Sequence, residues 1–325
     1  MRYCGIDVSR DKLDCTLIDE NGEPLRRSRC FTNNRRGFTK ITCWLEEAEA
    51  HSCVVVMEAT AAYHARAARA LHAADFLVSI ANAARVRKLA HGLAILTKND
   101  RVDSLVLAHF GRLAKPRRWI PSEPVIDGLS ALILRLEEIE DDLQREINRR
   151  EQACVRDTTA IVIHSIDAVT RALKTQRKEL QAAIDAAVAG DARLADDMRR
   201  LRSIPAIGPK TAPRMLVLLR GHDFQSAREV AAFVGLVPVE RQSGVNTGRP
   251  RLSKAGNPRL RASLYMAAIV ASKLNPDIRD QYQRLVAAGK PKMVALGAAM
   301  RKLVHLCYGV WKSGDVYRPR PVAAA

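Results

Sequence analysis

The chain has 325 residues, of which 47% are hydrophobic, an ordinary share for a folded protein with room for two or three cored domains. Its 53 Lys and Arg against 35 Asp and Glu leave a net charge of +18, which favours a polyanionic partner, nucleic acid first and an anionic membrane surface second. No run approaches the roughly 18 apolar residues of a spanning helix, and Met1-Arg2-Tyr3-Cys4-Gly5-Ile6-Asp7 lacks the apolar core of a signal peptide, so a cytoplasmic protein without a membrane partner is expected.

In chain order, Tyr3 to Val8 and Lys12 to Ile18 read as short strands, and Asn21-Gly22 signals a hairpin before a third run through Phe31. Arg36 to Ala50 reads as an amphipathic helix, Cys53 to Met57 as a buried strand, Ala61 to Ala74 as a helix and Phe76 to Ile80 as a strand, with a further helix after it. An antiparallel meander continued by parallel strands with crossover helices predicts a mixed α/β sheet, the ribonuclease-H-like (RuvC-like) arrangement, over residues 1–120. The seven cysteines are scattered, with no CxxC pair and no histidine at zinc spacing, so disulfides and zinc are not expected. Most read as small apolar residues on strands.

Over 121–200 the pattern turns all-α: Leu129, Leu132, Leu136, Ile139, Leu143 and Ile147 recur at spacings of three and four, predicting a coiled-coil or helical-hairpin seam. The charges between them, Glu137, Glu138, Asp141, Asp142, Arg145 and Arg149, read as a solvated face. A third, helical domain is expected over 201–325. Between Arg199 and Arg261 there are 13 Lys or Arg against 3 acids, which puts the nucleic-acid surface there, with Lys210, Arg241, Arg249, Arg251, Lys254, Arg259 and Arg261 as candidate contacts. Ile204-Pro205-Ala206-Ile207-Gly208-Pro209-Lys210 has the layout of a helix-hairpin-helix turn, whose backbone N–H groups can meet phosphate.

Four acids stand out. Asp7 interrupts the apolar first strand, Glu58 closes the run Val54-Val55-Val56-Met57, and Asp100 and Asp103 are three apart, on one helix face. Singly each reads as a turn or cap residue, and Asp100 as the N-cap of the helix after it. Together they suit magnesium, which takes hard oxygen ligands, and two such ions about 3.5–4 Å apart stabilise both the attacking and the leaving oxygen in phosphoryl transfer. Asp11 and Asp14 rank lower, in a turn and on the second strand.

Gly5-Ile6-Asp7-Val8-Ser9, Met57-Glu58-Ala59-Thr60 and Lys98-Asn99-Asp100-Arg101-Val102-Asp103 resemble the motifs of the DEDD transposases, the insertion sequence 110 family with the Piv invertases. Leu201 to Gly208, Phe233-Val234-Gly235-Leu236-Val237-Pro238, Gln242-Ser243-Gly244 and Leu252 to Arg261 resemble the same family, in its order. Only Asn99 departs, from an expected threonine.

By itself Ser243 reads as a loop serine; the resemblance makes it the catalytic nucleophile, next to Arg241, Arg249, Arg251 and Lys254. Ser253, its neighbour, reads as the cap of the helix near Asn257. What the resemblance implies is a transposase and DNA recombinase in which Asp7, Glu58, Asp100 and Asp103 hold Mg²⁺, two ions, and Ser243 attacks the scissile phosphate. It further implies a guide (bridge) RNA pairing with target and donor DNA, and a homo-dimer or tetramer. The runner-up is a RuvC-like nuclease or junction resolvase using water; the third reading is a nucleic-acid-binding protein with structural acids.

Overall fold

The computed structural model describes residues 1–50, 52–59, 62–95, 97, 99–240, 242, 243, 246, 247 and 251–319, with backbone alone at 242, 243, 246 and 247. It divides into two compact units, Met1–Pro121 and Ser122–Ala325. The first unit runs β1 (Tyr3–Val8), β2 (Lys12–Ile18), β3 (Arg29–Thr32), α1 (Arg35–Glu46), β4 (Val54–Glu58), α2 (Tyr63–Ala73), β5 (Leu77–Ala81), α3 (Ala83–Gly92) and α4 (Asp100–Ala114). Its sheet has the order β3-β2-β1-β4-β5, antiparallel from β1 to β3 and parallel from β1 to β5. This mixed sheet fits a ribonuclease-H-like domain.

Successive side chains of a strand point to opposite faces, and β1 uses both. Cys4, Ile6 and Val8 join Phe38, Ile41 and Trp44 of α1 and Leu71 of α2 in one core. On the other face Val56 packs with Val86 of α3 and Val106, Leu107 and Phe110 of α4. Tyr3 meets Ala108 there. With both faces covered, the strands need not alternate polar and apolar, which is why Val54–Met57 reads as a continuous apolar run.

The expected hairpin at Asn21-Gly22 is a turn but not a two-residue one. The Asp19 carboxylate accepts the N–H groups of Asn21, Gly22 and Glu23 at 2.8–2.9 Å, Gly22 takes the left-handed φ of +100° that such a turn needs, and β3 begins only at Arg29.

The second unit runs α5 (Pro124–Val155), α6 (Ala160–Ala189), α7 (Ala192–Arg202), α8 (Ala212–Arg220), α9 (Ala227–Val234), β6 (Pro238–Val239), β7 (Gln242–Ser243), β8 (Asn246–Thr247), β9 (Arg251–Leu252), α10 (Pro258–Leu274), α11 (Pro276–Ala287) and α12 (Lys292–Ser313). The long α5 and α6 pack on each other across a short connection. Leu129 and Leu143 of the expected seam are buried, whereas Ile147 is 44% exposed. The base of this pair shares one core with the C-terminal helices: Ile126, Leu129, Ile133, Ile184 and Val188 join Met215, Leu219, Leu264 and Leu303.

α12 holds no unbroken run of about 18 apolar residues, yet by length and mean hydropathy, 1.2, it is long and apolar enough to cross a membrane. Half of it is buried inside the unit, where Ala299, Leu303, Val304 and Cys307 belong to the core, and it carries Lys292, Arg301, Lys302 and Lys312. A fully packed core helix and a spanning helix share this composition.

Candidate active site

The four acids of the first unit line one cleft of about 430 Å³, together with Arg87, His91 and Thr97. Strand register brings the first two together. In the parallel pair β1/β4, Ile6 stands opposite Met57, so Asp7 and Glu58 follow at adjacent strand ends on the face that carries α3 and α4. That is the carboxyl end of the parallel strands, where open sheets place their ligands.

α4 supplies the other two. Asn99 is its N-cap, and its side chain accepts the Val102 N–H at 2.9 Å. The expectation that Asp100 caps this helix is therefore corrected by one residue: Asp100 is its first residue. Asparagine and threonine both cap helices, so Asn99 does what a threonine there would do.

A close approach seats this helix end beside Asp7. A Cβ built on Gly5 would lie 1.9 Å from the Ser104 carbonyl oxygen and 2.4 Å from the Ala108 nitrogen, so the α4 backbone rests directly on β1. Next to this contact, the buried Ser104 hydroxyl bonds Thr16 of β2 at 2.7 Å, and Thr16 bonds Ser28 at 2.8 Å.

The electrostatics follow from the crowding. The Asp7 carboxyl is pushed up to about 6, by burial first and then by the negative charges of Asp103, Asp100 and Glu58. The charges that act on it most strongly are negative, and the four acids offer only carboxylate oxygen, the chemistry a hard divalent cation takes. Among the described residues no three His, Cys, Asp or Glu side chains stand close enough to grip one ion outright. Sequence reasoning passed over Arg87 and His91; their spacing of four on the helix after β5 was the available signal.

In the second unit the backbone of Ser243 lies in β7, paired with Asn246 of β8, rather than in an irregular loop. Arg241 and Arg249 lie outside the described residues. The flanks of this excursion are held by two glycines. Gly235 has φ +83° and a Cβ on it would lie 2.1 Å from the Ala255 oxygen; Gly256 has φ +82° and a Cβ would lie 2.1 Å from the Phe233 oxygen. Only glycine fits either place. Arg261 closes the clasp by donating to the carbonyl oxygens of Val234, Ala255 and Gly256 at 3.1, 2.8 and 3.0 Å.

The basic candidates thus divide. Lys210 pairs with Glu140 at 2.9 Å, and Arg259 pairs with Glu137 at 3.5 Å and Asp141 at 2.5 Å. Arg251 and Lys254 are exposed and take part in no ion pair among the described residues. This corrects the solvated-face reading of α5 at Glu137, which is 4% exposed and binds Arg214 at 2.6 Å, because that side of α5 meets the basic C-terminal block, while Glu138, Asp141, Arg145 and Arg149 are exposed. Ser253 is likewise not the cap of α10. Asn257 is, accepting the Arg259 N–H at 2.8 Å.

Comparison with known proteins finds family matches in both halves of the chain. A transposase family model of the DEDD, IS110 type matches residues 4–156, and one described as transposase IS116/IS110/IS902 family matches residues 198–283. The chain is 30% identical to the pilin gene-inverting protein of Moraxella lacunata, and 29% to that of Moraxella bovis, in each case over 98% of both chains. It is 28% identical to an uncharacterized 43.6 kDa protein of insertion element IS110 from Streptomyces coelicolor, over 50% of this chain and 40% of that one.

Proposed function

Because the chain belongs to the IS110 family of DEDD transposases, and so is a DNA recombinase, we propose that Asp7, Glu58, Asp100 and Asp103 hold two Mg²⁺ ions for DNA cleavage and that Ser243 is the nucleophile. The observation that carries this reading is the single cleft that the four acids line, with Asp7 pushed up to about 6. Bound there, the metal would neutralise charge on the phosphate and favour both the attacking and the leaving oxygen. The serine oxygen bonds to phosphorus, its proton departs, and one DNA oxygen leaves as a hydroxyl. That hydroxyl, or the one on the exchanged strand, later attacks the phosphoserine and releases Ser243. The phosphodiester energy is thereby kept, as rejoining without an external energy source requires.

In this reading residues 1–120 are the RuvC-like catalytic domain, 121–200 a coiled-coil spacer and 201–325 the serine-bearing domain, whose turn before α8 meets phosphate in the manner of a helix-hairpin-helix. Serine and acids act together, completed between protomers of a homo-dimer or tetramer. A bridge RNA pairs with target and donor DNA, so base pairing reads sequence while Arg251 and Lys254 read backbone. Two experiments test this. Wild-type protein should form a DNA adduct that survives denaturation and Ser243→Ala should not, with nucleic-acid binding retained; cleavage undiminished in Ser243→Ala would instead favour hydrolysis by water. RNA copurifying with the protein should map to its own element.

A further inference from the structure

α3 forms part of the wall of the acid cleft. Ala83, Val86, Arg87, Ala90 and His91 line it, at the three- and four-residue spacings of one helical face. Arg87 and His91 are the residues of that face that can donate hydrogen bonds to an anion. Their neighbour Arg85 is occupied, its guanidinium 5.5 Å from the Phe110 ring centre. Arg87 is exposed and, although four carboxylates share its cleft, takes part in no ion pair among the described residues.

We propose that Arg87 is the phosphate ligand of this cleft, its guanidinium binding the non-bridging oxygens of the scissile phosphodiester, with His91 contacting the same strand one helical turn on. The proposal rests on the metal-cleft reading above and adds the substrate side of it. Four carboxylates and two divalent cations balance. The phosphodiester then brings one uncompensated negative charge, and more builds on its oxygens as the bond breaks. Arginine is the side chain suited to that place, because its planar fork matches two phosphate oxygens and its charge is fixed. An arginine tied to the metal-binding carboxylates would compete with the cations; one standing free of them does not.

The test compares full-length wild type, Arg87→Ala, Arg87→Lys and His91→Ala in two assays: calorimetric titration with Mg²⁺ alone, and cleavage of DNA bearing the element's ends at saturating Mg²⁺ in the presence of the RNA that copurifies with wild type. Arg87→Ala should take up Mg²⁺ at least as tightly as wild type, since a repelling positive charge is gone, yet cleave about 10²–10³-fold more slowly, the loss typical of one removed oxyanion donor. Arg87→Lys should recover part of the rate, restoring charge without the fork, and His91→Ala should lose less than Arg87→Ala. Cleavage by Arg87→Ala at the wild-type rate would overturn the proposal. So would slow cleavage joined to weakened Mg²⁺ uptake, because Arg87 would then be organising the acids rather than the phosphate. A wild type that neither takes up Mg²⁺ nor cuts DNA would instead bring down the metal reading underneath.

Discussion

Gly5→Ala is the smallest change that probes how the catalytic acids are held. The new methyl carbon would lie 1.9 Å from the Ser104 oxygen, 2.4 Å from the Ala108 nitrogen and 2.9 Å from the Leu107 carbonyl carbon. Ordinary contacts lie at about 3.5 Å, so α4 must retreat by more than 1 Å or β1 must bend. All three obstacles are main chain, and no rotamer change relieves them. Trimming Ser104 to alanine would not help either. Overpacking of this kind costs roughly 1–3 kcal/mol, and a clash with backbone on both sides belongs at the upper end. For a unit of this size that is a fall of roughly 10 °C in melting midpoint. The chemical effect should be larger than the thermal one, because Asp100 and Asp103 ride on the displaced helix and a shift of about 1 Å can cost about 10²-fold in rate. Circular-dichroism melting and Mg²⁺-dependent DNA cleavage measure the two effects. A Gly5→Ala protein that melts and cleaves like wild type would refute the idea that this contact sets the position of the acids.

Each of Asp7→Ala, Glu58→Ala, Asp100→Ala and Asp103→Ala should abolish cleavage while leaving the circular-dichroism spectrum unchanged; wild-type recombination by any two would dismiss the metal site. The raised Asp7 gives a pH signature: its folded value near 6 lies above its unfolded 3.8, so its neutral form adds stability below pH 4 that is lost as pH rises through about 6. Metal-free Asp7→Asn should therefore exceed wild type in unfolding free energy by about 1–2 kcal/mol at pH 7.5, allowing for solvent at a half-buried carboxyl, and by nothing near pH 4; equal stability at both pH values would contradict the crowding. Glu137→Ala removes the buried partner of Arg214, which keeps Glu140 at 3.8 Å and the Lys210 carbonyl oxygen at 2.8 Å, and denaturant titration should show a loss of about 1–3 kcal/mol. Reversing charge at the exposed Arg251 and Lys254 together should weaken nucleic-acid binding and flatten its salt dependence, where Lys210→Glu, already paired internally, should change both less.

The sheet and its acids were legible because both rest on short-range regularities. A period of two along Tyr3–Val8 and Val54–Glu58 puts Asp7 and Glu58 on one face, and a spacing of three does the same for Asp100 and Asp103 on α4. What escaped was set by long-range pairing. The pairing of Arg259 and Lys210, both candidate phosphate contacts, was not legible because their partners, Glu137, Glu140 and Asp141, lie far away in sequence on α5. The cap of α10 escaped for a local reason: Ser253 and Asn257 are both capping types, and only backbone geometry chooses Asn257, whose side chain reaches the Arg259 and Leu260 N–H groups.

The motifs that carry the family resemblance do two kinds of work, and their glycines show the division. In Gly5-Ile6-Asp7, the acid is chemistry while the glycine lets the α4 backbone rest on β1, so that Asp103 and Asp7 sense each other's charge. In the C-terminal block, Gly235 and Gly256 let two loops pass within contact distance, and Arg261 fastens them through three carbonyl oxygens. Between those fastened ends run β6, the β7/β8 hairpin with Ser243, and β9. A basic residue in such a motif is therefore not automatically a nucleic-acid contact. Arg261→Lys, which keeps the charge but replaces the planar guanidinium whose Nη1 reaches all three carbonyls with a shorter ammonium head, separates the two roles. If Arg261 fastens loops, thermal stability falls and the salt dependence of nucleic-acid binding is unchanged. If it touches phosphate, Arg261→Ala flattens that dependence by about one unit of slope, and Arg261→Lys restores it.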